Sequence, residues 1–198
     1  GSLFGLNERT GIEIEEAAPQ IANEFPVMAA IGQSNNNYTT VQLARYVTAV
    51  ANEGTVYQYT LLNRLEDSDG NVLQTFEPQV RNQIDVLDTE EWNAIHSGMR
   101  MVVENTKEFD GFPIEAAGKT GTAQQNLKRP NHALFVGYAP YDDPEISIAT
   151  RIAYGYTSHN AAKLARNVFA YYFNVENEDE LLNGQAANGN SSSNEISD

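Results

Sequence analysis

Gly118-Lys119-Thr120-Gly121-Thr122-Ala123-Gln124 gathers a cation, two hydroxyls and a bare backbone position into a stretch where a strand is predicted over residues 116–124. Successive side chains of a strand point to opposite faces, so Lys119 and Gly121 share one face and Thr120 and Thr122 the other, unless twist or a bulge re-aims them. A glycine inside a strand marks a place where something comes close to the backbone, and an edge strand offers its main-chain groups to an extended peptide. A phosphate-binding loop is excluded on spacing. Gly-x-x-x-x-Gly-Lys-Thr requires a first glycine where Pro113 stands and a helix where Gly121 follows.

Outward from that strand, Asn131–Ala139 and Glu145–Tyr154 are further strand-like runs, separated by the turn Pro140-Tyr141-Asp142-Asp143-Pro144. Three adjacent antiparallel strands are predicted. Ser158 then caps a last helix whose apolar face carries Ala161, Leu164, Ala165, Val168, Phe169 and Tyr172. Upstream, Asp88 and Glu91 have capping-box spacing ahead of a stripe of Trp92, Ile95, Met99 and Val102. A ribbon is predicted from Thr55–Glu66 and Val72–Phe76 around Asp69-Gly70, preceded by a helix that Thr39 or Thr40 caps and Gly54 ends. Residues 1–38 read as a loop-rich opening segment.

Composition sets the outer bounds. With 198 residues, 41% of them hydrophobic, the chain can build one domain with its own core. Acids outnumber bases 27 to 12, a net charge of -15, which argues against a nucleic-acid partner. From Glu176 the sequence turns to Asn, Ser, Gly and acid, too poor in apolar side chains to offset the entropy of ordering. The folded body is therefore predicted to be 1–175, with 176–198 a disordered tail. The chain has no cysteine, and His96, His132 and His159 lack metal-ligand spacing, so no metal and no cofactor is expected. Trp92 and the Met99 stripe read as core, and His132 as a packed or capping residue.

Ala117-Gly118-Lys119-Thr120-Gly121-Thr122-Ala123-Gln124 followed by His132-Ala133-Leu134-Phe135-Val136-Gly137-Tyr138-Ala139-Pro140 resembles the class B penicillin-binding proteins. Phe4-Gly5-Leu6, Arg9-Thr10-Gly11-Ile12-Glu13, Ile31-Gly32-Gln33 with Thr39 to Leu43, and Gly98 to Val103 agree with that family in order, so the resemblance runs over about 3–173. It implies an α/β (α+β) fold of the serine β-lactamase and penicillin-binding-protein transpeptidase type, an antiparallel sheet flanked by helices, of which this chain is the C-terminal portion. It also implies peptidoglycan cross-linking by serine acyl transfer. The expected partners are a peptidoglycan stem peptide, β-lactams, the N-terminal part of the same protein and other cell-wall synthesis proteins, on the extracytoplasmic face of a bacterial membrane. Lys119 would be the catalytic-site cation. Thr120, Gly121 and Thr122 would bind substrate, the Thr122 backbone N–H serving as one oxyanion-hole donor.

The departures are specific. The family's Ser-x-x-Lys and Ser-x-Asn should precede Lys-Thr-Gly, and no serine here has lysine three residues on. Ser97-Gly98-Met99-Arg100 is the nearest approach, but arginine stays protonated and cannot act as a base. Ser34-Asn35-Asn36 falls in the Ile-Gly-Gln region, and Ser158-His159-Asn160 and Ser192-Ser193-Asn194 follow Lys119, so none takes the role. The nucleophile is expected upstream, in a longer reading frame that also supplies the membrane anchor, and this portion alone is expected to be inactive and poorly stable. A serine β-lactamase, a penicillin-sensing receptor domain and a non-catalytic binding domain of the same fold remain open as alternatives.

Overall fold

The computed structural model describes residues 1–177 and 181. The tail expected from Glu176 on therefore lies, apart from Glu176, Asn177 and Leu181, outside the described residues. The chain divides into two compact units, Gly1–His96 and Ser97–Asp198.

In the first unit a 3-10 turn (Ser2–Phe4) and a short helix, α1 (Pro26–Ala30), interrupt the expected loop-rich segment. The helix α2 (Thr40–Ala51) starts at a complete capping box: Thr39 Oγ1 accepts from Gln42 N, and Gln42 Oε1 accepts from Thr39 N. Arg45 of α2 is fully buried and donates to Gly5 O at 2.5 Å and Arg9 O at 3.3 Å, tying the opening segment to the helix. Burial pushes its pKa down. After Gly54, whose φ of 106° suits glycine, comes β1 (Thr55–Gln58).

The ribbon predicted over 55–76 is in fact two ribbons. Strand β2 (Arg64–Glu66) pairs with β3 (Val72–Thr75), whereas β1 pairs with β4 (Gln79–Gln83). The Glu13 carboxylate accepts from Leu61 N and Thr60 Oγ1 and holds a bend where one long strand was expected. Gln79-Val80-Arg81-Asn82-Gln83 is polar at four of five positions, so β4 shows no apolar alternation to read. Ala49, Val56, Ile84 and Trp92 close this unit's core.

Asp88 and Glu91 form their predicted box at the start of α3 (Thr89–Glu104). Trp92 is buried as predicted and Met99 and Val102 are half-buried, but Ile95 is exposed and the fully buried residue of the last turn is Val103. His96 is half-buried and its Nε2 is 2.7 Å from Val50 O.

The second unit contains the three predicted strands, β5 (Ala117–Ala123), β6 (His132–Ala139) and β7 (Ile146–Ile152), antiparallel and in the order β5-β6-β7. Helix α4 (Ser158–Tyr172) packs on them, capped by Thr157 rather than Ser158. Thr157 holds an extended conformation and its Oγ1 accepts from His159 N, leaving Ser158 as the first helical residue. Its buried face is Ala161, Ala162, Ala165, Phe169 and Ala170, whereas Leu164, Val168 and Tyr172, expected inside, are exposed. Small side chains let the helix backbone approach the sheet, so that Thr150 Oγ1 of β7 donates to Ala161 O at 3.0 Å. Phe135, Phe109, Val103 and Ala133 join this core.

Candidate active-site strand

The β5–β6 register runs without a break from Ala117↔Tyr138 to Ala123↔His132, so the predicted alternation holds. The face carrying Gly118, Thr120 and Thr122 is also the Phe135 face, which packs on α4. Lys119 and Gly121 share the other with His132, Leu134 and Val136 and, across β7, with Ala149 and Arg151. Lys119 and the two threonine hydroxyls thus lie on opposite faces. They come together only around the outer edge of β5, which has no strand partner among the described residues.

The two internal glycines of this strand differ in what requires them. A Cβ at Gly118 would stand 2.3 Å from Phe135 Cζ, and the buried Phe135 ring stacks on Phe109 with centroids 5.7 Å apart. Packing alone requires that glycine. A Cβ at Gly121 would meet only Leu134 Cβ at 3.5 Å, an ordinary contact, and Gly121 has no left-handed φ. Nothing within the described residues requires glycine at 121.

Lys119 is exposed and makes no ion pair among the described residues; its Nζ donates to Thr120 O at 2.8 Å. Thr120 is half-buried and Thr122 exposed. At the start of the strand, Arg100 of α3 donates to Ala116 O at 3.1 Å and pairs with Glu115 at 3.2 Å and Glu104 at 3.4 Å. The arginine of the Ser-x-x-Arg look-alike thus anchors β5. At the far end, His132 is buried and holds Gln125, while His96 and His159 serve elsewhere, the latter against Glu108 at 2.9 Å. Gln125, Arg151 and Tyr154, which surround His132, had no motif to announce them. Clefts of about 400 Å³ beside Gly5 and Arg81 and about 550 Å³ beside Tyr57 and Phe76 are lined by first-unit residues only, none of them in the motif.

The family described as the penicillin binding protein transpeptidase domain matches residues 2–170. The chain belongs to that family. Among its curated relatives, the peptidoglycan D,D-transpeptidase MrdA of Haemophilus influenzae is 32% identical over 207 residues, covering 86% of this chain and 31% of that protein. Among solved structures, penicillin-binding protein 2B of Streptococcus pneumoniae superposes with a TM-score of 0.77 at 24% identity, over 88% of this chain and 32% of that one. Penicillin-binding protein A of M. tuberculosis, solved as an imipenem acyl-enzyme complex, gives a TM-score of 0.72 at 20% identity, over 87% and 41%. The transpeptidase fold implied by the motif is therefore this chain's fold, and the chain spans about a third of the length of the relatives it matches.

Proposed function

We propose that this chain is the C-terminal part of a peptidoglycan D,D-transpeptidase, with β5 forming one wall of an acylation site whose serine lies upstream. The observation that carries this reading is the open edge of β5. Among the described residues it presents Lys119 without a carboxylate partner, beside Gly121, where an added Cβ would make no more than an ordinary contact with Leu134. Both make sense if an extended, carboxylate-bearing peptide lies along the strand. Lys119 supplies positive charge, Thr120 and Thr122 supply hydroxyls, and the Thr122 N–H helps to hold the developing oxyanion.

The upstream serine attacks the penultimate D-Ala carbonyl of one stem peptide. The serine oxygen bonds to the acyl carbon, the amide C–N bond breaks, and the terminal D-Ala leaves with a proton on its amine. An amine of a second stem peptide then takes the acyl group and the serine recovers its proton. A β-lactam is attacked at the same serine and stays attached, in keeping with the M. tuberculosis relative solved as an acyl-enzyme. Among the described residues no helix is long and apolar enough to cross a membrane.

The test is intact-mass spectrometry of the full-length parent with and without penicillin, beside Lys119→Ala. A stable gain of one penicillin mass, slowed by about tenfold or more in Lys119→Ala, is expected if that charge stabilises the transition state. A folded parent that takes up no penicillin would overturn the reading.

A further inference from the structure

We infer that His132 is a positioning residue that acts through Gln125 to fix the far end of β5, and with it the Thr122 backbone N–H. This inference rests on the transpeptidase reading above. Among the described residues strand β5 is bonded to a partner on one side only, and Ala123↔His132 is the last pair of its ladder. Beyond that pair the connection 124–131 has no regular structure, so whatever grips it there decides where the strand ends.

The grip is the imidazole of His132. His132 Nδ1 accepts from Tyr154 N at 3.0 Å, which leaves the ring proton on Nε2, and Nε2 donates to Gln125 Oε1 at 2.8 Å. The buried ring therefore has both nitrogens engaged in definite roles. Tyr154 is a non-glycine residue held at φ 55°, an uncommon conformation that surroundings must enforce. It places its N–H on Nδ1 and its own ring 4.9 Å from the imidazole. Arg129, from the connection itself, donates to Tyr154 Oη at 2.7 Å and lies over that ring. Arg151 Nη2 stands 3.4 Å from both ring nitrogens, a cation that disfavours a second proton there. The turn after β7 thus clasps the connection after β5, with the neutral imidazole as the joint.

Gln125 lies three residues beyond Thr122. Releasing it frees an edge strand at the end where an oxyanion donor is needed, and displacement of such a donor by about an ångström is worth up to a hundredfold in rate. The loss belongs to the limiting rate of acylation and not to the penicillin concentration at half-saturation, because the donor acts on charge that develops only in the transition state.

The experiment measures acylation of the full-length parent by a fluorescent penicillin, with the melting temperature of every variant. His132→Asn keeps an acceptor at the Nδ1 position but cannot reach Gln125, whereas His132→Gln restores a donor at the Nε2 position. Expected are a limiting rate about tenfold lower in His132→Asn and in Gln125→Ala, no further loss in the double variant, and recovery in His132→Gln. Wild-type rates in His132→Asn and Gln125→Ala, with Lys119→Ala still slow, would overturn this inference alone. Equal losses in His132→Asn and His132→Gln that follow their melting temperatures would overturn it in favour of a purely structural role. A wild-type parent that is not acylated would overturn it together with the transpeptidase reading.

Discussion

Placing one methyl group at each of two positions on β5 separates stability from function. In Gly118→Ala the new Cβ would stand 2.3 Å from Phe135 Cζ and 2.8 Å from Val136 O. The ring cannot simply retreat. It is fully buried, stacks on Phe109, and would also crowd a Cβ at Gly137, 2.7 Å from its Cε1. Forcing a methyl group into such a core destabilises by about 1–3 kcal/mol, and in a unit of roughly a hundred residues that lowers Tm by roughly 4–24 °C. In Gly121→Ala the nearest atom is Leu134 Cβ at 3.5 Å, so the fold gives up nothing. Alanine even adds about 0.5 kcal/mol by restricting the unfolded chain. Thermal and urea denaturation of this chain should therefore show a fall for Gly118→Ala and no change or a small gain for Gly121→Ala. Acylation of the parent by penicillin should drop about 10–100-fold in Gly121→Ala, where the methyl group fills the space a ligand backbone needs. Equal destabilisation by the two substitutions would refute the packing argument. Wild-type acylation of Gly121→Ala would refute the claim that a ligand requires this glycine.

Two further outcomes follow from the second unit's core and from its buried imidazole. Phe135→Ala should destabilise by about 3–5 kcal/mol in urea denaturation, since it empties the space between Gly118, Gly137 and Phe109; a loss below about 1 kcal/mol would contradict its burial. Burial first, and the Arg151 charge second, hold the His132 pKa below the ordinary value of 6.5. The unfolded chain therefore takes up the proton first as pH falls. The stabilisation is complete above about pH 6.5 and is lost as pH drops through the lowered folded value. The charges facing the ring are Arg151 from β7 and, across Tyr154, Arg129 from the connection; both disfavour protonation. Stability should thus decline between about pH 7 and 5 more steeply in the wild type than in His132→Gln, and parallel curves would refute this.

The sequence determined what depends on neighbours along the chain. Asp88 and Glu91 announced α3 because a capping box is closed by residues three apart. The run 116–124 announced a strand and its two faces because alternation is a property of the extended backbone itself, whereas its place at the end of the sheet order came from the pairing. Those local rules carried the three strands of the second unit, and the family resemblance carried the fold and the proposal that Lys119, Thr120, Gly121 and Thr122 line the site. Tertiary structure decided what depends on partners far away in the chain. The bend at Leu61 is set by a carboxylate from Glu13, and β4 pairs with β1 through backbone hydrogen bonds that its polar side chains do not advertise. The inward face of α4 follows from how closely a helix can approach Phe135 and Thr150, which favoured alanines over the larger Leu164 and Val168. Nor did Gly118 and Gly121 look different as letters. Only the position of a phenyl ring from the neighbouring strand shows that one glycine serves the core while the other, with Leu134 Cβ at 3.5 Å as its nearest neighbour, does not.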